Sequence, residues 1–317
     1  MNATSDPLYE KYANKGLIPE EILATGIIAV ICLMAICLNF SLVFVTIKTK
    51  SLHSPCKTLI ALFAFFASFL LFGNCIKFFV FLFGFNYIPL KSCFLIQIVP
   101  LICSSLAINL QCGIGIDRLF GVVFPIWYKS RGKHISFKAI ITFCCIRSAI
   151  NGFIIYIGSS NHWEQPVMCN LGDPFHQPEN AKFADISSFI SYCTEFLFYL
   201  LIWLVIWKRS TQIPAQEKKL TISVSVLISI GLVCFILNMF IIQFILPLLN
   251  FDAFAFEFFV HPFSVFLQTL AYGSSAPVLY FCSSEYRSAF RSLFTHQTTV
   301  VQIVNKRRQQ NNNNNNR

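Results

Sequence analysis

Lys77, Asp117, Arg118, Arg147 and Glu195 are ionisable residues in or at the edges of long apolar runs of this 317-residue chain. Asp117 and Arg118 are adjacent in the stretch GIDRLFGVVFPIWY, residues 115–128. A carboxylate and a guanidinium placed there can form an ion pair that biases a two-state element. Lys77, Arg147 and Glu195 each stand alone in their runs, and charge inside a bilayer is costly enough to mark ligand contacts or helix-to-helix partners. Catalysis is not indicated. His261 is a lone histidine with no nucleophile-base-acid set, HExxH motif or metal-spaced His/Cys cluster beside it, so no enzyme, metal or other cofactor is expected.

The elements that must position these groups follow from composition. The chain is 56% hydrophobic and 12% charged, with mean hydropathy +0.64. An average soluble domain carries roughly 25% charged residues, so a membrane protein is the default. Seven apolar stretches, 22–47, 58–83, 94–119, 135–158, 186–207, 220–249 and 258–282, can each cross a core of ~30 Å as a helix of about 20 residues. Helices follow because the runs are continuous and lipid forces each segment to satisfy its own backbone. No internal repeat is apparent, which gives a single domain. Residues 1–21 carry Asp6, Glu10, Glu20 and Glu21 and lack an apolar core, so the first helix is the expected insertion signal.

Seven spans put the two ends on opposite sides, and basic residues choose between the two orientations. Segments 48–57, 118–138, 208–219 and 283–317 hold 18 Lys/Arg against the acids Asp117, Glu217 and Glu285. Segments 1–21, 84–93, 159–185 and 250–257 hold only Lys11, Lys15, Lys91 and Lys182 against ten acids. The positive-inside bias therefore predicts an external N-terminus and a cytosolic tail. The net charge of +10 is mostly this topology signal, and no nucleic-acid reader accompanies it. Arg307, Arg308 and the Asn run 311–316 are low-complexity and predict disorder. Asn2-Ala3-Thr4 matches the glycosylation acceptor pattern on the external side, whereas Asn39-Phe40-Ser41 lies inside the first span.

With Asp117-Arg118-Leu119 at the cytosolic end of the third span, followed by Pro125-Ile126-Trp127-Tyr128, the chain resembles rhodopsin-like G-protein-coupled receptors. The phrasing IDRLFGVVFPIWY is most similar to the nematode serpentine receptor class SX. Asn39 in the first span, Cys93 at the start of the third, Cys169 in the second outer loop and Ala276-Pro277-Val278-Leu279-Tyr280 in the seventh fit the same pattern, over about residues 22–294. The resemblance implies an all-α seven-helix bundle of the plasma membrane with a short amphipathic eighth helix. It implies a chemosensory or neuropeptide-type receptor that binds an extracellular small molecule or peptide and activates a heterotrimeric G protein.

In such a receptor Arg118, held by Asp117 and by Glu217 of the third inner loop, keeps the resting state shut, and Pro125 belongs to the second inner loop. Pro277 kinks the seventh helix with Tyr280 near the same face. Cys93 and Cys169 face the oxidising side and would tie the second outer loop to the third helix. The sequence also departs from the family. Ala276 stands for an Asn and Ala67 for a carboxylate, which argues against a sodium site. Cys145 replaces a fourth-span Trp, and Cys234-Phe235-Ile236-Leu237 lacks the usual Trp and Pro, leaving Phe235 as either a toggle or a packing residue.

Ligand-pocket candidates are Lys77, Glu195, Phe235, Asn238, Gln268 and Tyr272, with Gln243 nearby. Lys77 either meets ligand or snorkels to the outer headgroups. Glu195 either balances a cationic ligand or pairs with a neighbouring helix. Arg147, near mid-span, reads as structural, with Asn109 and Gln111 of the third span as partners. No acid occupies 100–105, which disfavours a monoamine; peptide and small odorant both stay open. A transporter or channel is the competing reading, against which the chain shows no inverted repeat and no ring of acids. Tyr286, Ala289, Phe290, Leu293 and Phe294 recur at helical spacing with Arg287 and Arg291 between, predicting an amphipathic helix on the inner leaflet. The expected divisions are an extracellular 1–21, a transmembrane domain 22–282, the amphipathic helix 283–294 and a disordered cytosolic tail 295–317.

Overall fold

The computed structural model describes residues 7–13, 15–208, 215–245 and 256–293, side chains excepted at 7, 129, 131, 215–220, 243 and 244. It is a bundle of seven long helical segments. They are α1 (Pro19–Lys48), α2 (Pro55–Leu82), α3 (Leu90–Val123), α4 (Lys133–Ser160), α5 (Pro178–Lys208), α6 (Ala215–Phe240) and a broken α7 (His261–Gly273, resuming as Ser275–Cys282). A further helix, α8, covers 284–293. Six of these helices are long and apolar enough to cross a membrane unbroken, and the two pieces of α7 add the seventh crossing of this multi-pass fold.

Several helices run past the apolar stretches that announce them, because their ends need caps and charges that hydropathy ignores. Pro19 and Pro55 open α1 and α2 at the position where a missing N–H is harmless, and Glu20 and Glu21 face the positive end of the α1 dipole. The helix α3, longest of the set, starts directly after the two-residue strand β1 (Ile88–Pro89), which pairs antiparallel with β2 (Pro166–Val167). The Cys93–Cys169 disulfide closes the same junction, with the two Cα atoms 5.3 Å apart. Thus the α4–α5 loop is strapped across the end of the bundle that carries the N-terminus. Asn86, itself at positive φ, donates to the carbonyls of Tyr12 (2.9 Å) and Gly16 (2.8 Å) and draws the N-terminal segment onto that end.

The core runs down the inside of the bundle through Leu42, Leu70, Leu110, Ile114, Ile228 and Leu279, while Leu33, Ile146, Phe189 and Val233 point outward. This reversal of the soluble pattern is what a lipid-facing surface requires. The central strut is α3, packed on α2, α4 and α5, and α7 packs on α6, α1 and α2. The apolar face of α8, through Tyr286, Ala289 and Phe290, is buried against the bundle. Arg287 fixes its start by donating from Nε to the Tyr280 carbonyl at 3.1 Å.

The break in α7 has a local cause. Pro277 has no N–H to offer the Gly273 carbonyl, so the ladder cannot run through this turn, and it fails at Ser274. Asn39, fully buried on α1, donates to the Tyr272 carbonyl at 3.1 Å and anchors the upper piece. Gly273 makes the approach possible: a Cβ there would lie 2.5 Å from the Ala35 Cβ, an atom fixed to its backbone. Gly273→Ala should therefore force α1 and α7 apart, costing about 1–3 kcal/mol. Thermal inactivation of the purified full chain would read this as a lower midpoint, and an unchanged midpoint would refute the close-packing argument.

Candidate functional site

A cavity of about 210 Å³ opens at the N-terminal end of the bundle, beneath the α4–α5 loop. Its walls include Asn74 and Lys77 of α2, Ser104 of α3, Asn170 and Phe175 of the loop, and His261 and Gln268 of α7. Lys77 does not snorkel: it is 4% exposed and forms an ion pair with Glu257, in the turn Phe256–Val260 that leads into α7. A second carboxylate, Glu21 of α1, lies 3.7 Å from the same ammonium, and its Oε1 has no hydrogen-bond partner. One cation thus ties α1, α2 and the head of α7 together and leaves an excess of negative charge. Neither acid announces itself in the sequence, since each lies at the end of an apolar run where charge is ordinary.

The loop contributes polarity of its own. Asp173 accepts the Asn170 backbone N–H at 2.8 Å, and burial, with the charge of Glu257 adding to it, pushes the Asp173 carboxyl up to about 7. His176 joins His261 on the cavity wall, so that histidine is not alone in space. Among the described residues no group of three or more His, Cys, Asp or Glu is arranged to hold a metal ion.

The remaining ligand candidates divide into two groups, one on the cavity wall and one deeper in the bundle. Asn74 donates to Gln268 Oε1 at 2.9 Å, joining α2 to α7. Deeper, Phe235 stacks on Tyr192 with centroids 4.4 Å apart and meets Tyr272 edge-on at 5.6 Å, an aromatic row running from α5 through α6 to α7. Asn238 is half-buried one turn from Phe235. Glu195 of α5 is 3% exposed, with Gln111 of α3 as hydrogen-bonding neighbour and no partner for Oε1. Gly231 makes room for that glutamine, whose Nε2 would sit 3.0 Å from an added Cβ.

Arg147 is placed differently from the sequence reading. Its Nη2 donates to Ser191 Oγ of α5 at 2.7 Å, while Asn109 donates to Ser148 and Gln111 lies beside Glu195. Helical phase explains the error: neighbouring positions on α4 face different helices, and one-dimensional spacing does not say which helix each face meets.

At the opposite end of the bundle, Arg118 Nη2 bonds Asp117 Oδ2 at 2.6 Å, and its Nε reaches the same oxygen at 3.2 Å. Tyr128 closes the arrangement, donating to both Asp117 oxygens at 2.8 and 2.9 Å while accepting from Arg118 at 3.0 Å. Burial pushes the Tyr128 phenol up, which keeps it a donor. All three are buried, Asp117 completely. Pro125 starts the short turn Pro125–Trp127 that delivers Tyr128, using a preset φ at its first position. Nearby, Lys57 at the head of α2 pairs with Glu285 of α8 at 2.5 Å. Pro277 and Tyr280 lie in the lower piece of α7, Tyr280 edge-on to Phe290 of α8 at 6.0 Å. The backbone of Glu217 is helical, but its side chain lies outside the described set, as do those of Asn2, Gln243 and the tail 295–317.

A seven-helix membrane bundle, strapped by a disulfide over a polar cavity at one end and carrying a buried Asp-Arg pair at the other, is a seven-transmembrane receptor of the serpentine type. The family described as serpentine type 7TM GPCR chemoreceptor Srsx matches residues 32–294, and the chain belongs to that family.

Removing the ammonium from the cavity wall should be more damaging than removing one acid. Lys77→Met leaves two buried carboxylates facing each other, a loss of about 3–5 kcal/mol, whereas the Lys77→Met/Glu257→Gln double variant recovers part of it. The fraction of monodisperse receptor after detergent extraction reports both, and a Lys77→Met protein as stable as the parent would remove this pair from its structural role. The Asp173 shift carries a sign. A carboxyl raised above its unfolded value stabilises most below that value, near 4, and loses the contribution as pH climbs through about 7. Loop protection in hydrogen exchange should fall over that window, and Asp173→Asn should flatten the profile; a parent profile already flat would contradict the assignment.

Proposed function

We propose that this chain is a G-protein-coupled receptor of the plasma membrane, with the N-terminus outside and the tail in the cytosol. An extracellular ligand enters the cavity beneath the α4–α5 loop, and the Arg118 end engages a heterotrimeric G protein. The single observation that carries this reading is the Asp117–Arg118–Tyr128 network, a buried guanidinium bonded to a carboxylate and a phenol at the end remote from the cavity. A guanidinium with an alternative acceptor in a docked partner can leave such a network, and the change in partners is the switch.

The tyrosine is an acceptor and donor in one, so its loss weakens the hold on Arg118 from both sides. Charge-assisted hydrogen bonds of this kind are worth about 1.5–3 kcal/mol, enough to shift a two-state equilibrium about tenfold or more. Glu217 of the third inner loop, an additional brake in this proposal, acts on the same arginine. The ligand class is a small polar molecule or the end of a peptide, because the cavity is small and lined by amides and hydroxyls. An anionic ligand is disfavoured, since the wall lysine is already opposed by Glu257 and Glu21. Asn2 is the external glycan acceptor, 1–21 the external segment, α8 the helix that lies along the inner leaflet, and 295–317 the cytosolic tail.

Two outcomes are expected in cells with matched surface expression. Tyr128→Phe raises ligand-independent G-protein activation several-fold, and Arg118→Ala abolishes the response to pooled peptides and small secreted compounds. Unchanged basal activity in the first, or a full ligand response in the second, would overturn the assignment of this end. An epitope ahead of Met1 should be reached by antibody without permeabilisation, which tests the orientation separately.

A further inference from the structure

Arg147 remains unexplained by the receptor mechanism. It lies near the middle of α4, fourteen residues from the start and thirteen from the end of Lys133–Ser160, where an uncompensated guanidinium is costly even on insertion scales. It forms no ion pair with any described residue, and its one hydrogen bond, to Ser191, engages a single donor of five. Glu195, the nearest acid along α5, hydrogen-bonds with Gln111 on α3 and forms no ion pair with Arg147. The cation has been placed in the bilayer without an anion.

Around it is a second cleft of about 50 Å³, bounded by α3, α4 and α5. Besides Arg147 and Ser191 it is lined by Ser105, Asn109, Asn151 and Ser187, a density of hydroxyls and amides unusual for mid-bilayer surface. Asn109 and Asn151 are already tied to Ser148 and Ser105, which fixes the walls. The helices on either side present lipid-facing residues next to the opening, Ile146 and Ile150 on α4 and Ile186 and Ile190 on α5, each more than half exposed. α5 packs chiefly on α3 and only lightly on α4, the two being tied at the outer end where Asn180 bonds the Ile155 carbonyl and Ser159, with the cleft lying inward of that tie.

We propose that this seam is a binding site for an anionic amphiphile, a carboxylate with a hydrocarbon tail, entering sideways from the bilayer. The volume suits a carboxylate and excludes a sugar or phosphodiester headgroup. Its two oxygens match the planar guanidinium fork, the Ser187 hydroxyl supplies a further donor while Ser191, donating to the Ser187 carbonyl, holds the guanidinium in place, and the tail lies in lipid along the isoleucines. Binding supplies the missing counter-charge where the low dielectric makes it most valuable. The acid comes either from the membrane itself or from outside the cell. The proposal does not depend on what fills the outer cavity, with which the cleft shares Ser104 and Phe175, or on G-protein coupling.

The test uses the full-length receptor in nanodiscs of neutral phosphatidylcholine, titrated with oleic acid, methyl oleate and oleylamine and read by native mass spectrometry. Saturable binding of one oleate is expected, with neither ester nor amine competing. Arg147→Gln should weaken it at least about tenfold, the loss of a charge-assisted pair. Because that variant also removes the bond to Ser191, Ser187→Val serves as a second probe that leaves the guanidinium in place, and it too should weaken binding. Equal binding of acid and ester, or unchanged affinity in Arg147→Gln or in Ser187→Val, overturns the proposal. An acid of fatty-acyl mass that co-purifies without addition identifies the membrane as the source, and a site filled only on addition identifies external supply.

Discussion

Hydrocarbon offers no hydrogen bonds, and that absence organises the molecule. Every polar group carried into the bundle must be met by another that the fold brings to it, and the cost of failure is several kcal/mol per group. The helices can therefore differ freely in their lipid-facing residues, but not in the few places where polar atoms meet. Among those places are Asn39 on the Tyr272 carbonyl, Lys77 between Glu257 and Glu21, Asn74 on Gln268, and Asp117 with Arg118 and Tyr128. Each joins helices or a helix and its following loop, so the polar contacts set the register of a bundle whose apolar packing alone would tolerate sliding.

The two ends of the bundle use the same physics for different purposes. At the N-terminal end a lysine is shared by two acids, and one carboxylate oxygen is left unbonded beside a cavity. At the other end the guanidinium is bonded to a carboxylate and a phenol that also bond each other. The first cluster leaves an acceptor open, whereas the second closes on itself. Between them lies the aromatic row Tyr192–Phe235–Tyr272, whose last member also carries the carbonyl that Asn39 holds.

Much of this was legible in the sequence and some was not, for reasons that can be stated. The seven crossings are readable because lipid exposure makes hydropathy nearly sufficient, and the broken α7 follows from the chemistry of Pro277. Pairings were harder. Lys77 was visible as an anomaly, but Glu21 and Glu257 sit at the ends of apolar runs, where an acid is unremarkable, so ligand contact and snorkelling were the two readings in view and the ion pair was not. Tyr128 appeared only as the last letter of a motif, since nothing one-dimensional shows a turn folding it back onto Asp117. Arg147 was assigned to the wrong helix because a one-residue step on α4 rotates a side chain by about 100 degrees. Sequence spacing identifies which residues are out of place; it does not say whom they meet.

The interruption at Ser274 also has a mechanical meaning. It divides α7 into an upper limb pinned to α1 and a lower limb of eight residues whose far end adjoins α8. A short rod fixed at one end and cut from its ladder at the top behaves as a crank: modest rotation at the cut sweeps Tyr280 through a much larger arc. The same cut insulates the upper limb, so the cavity wall can keep its shape while the opposite mouth of the bundle changes.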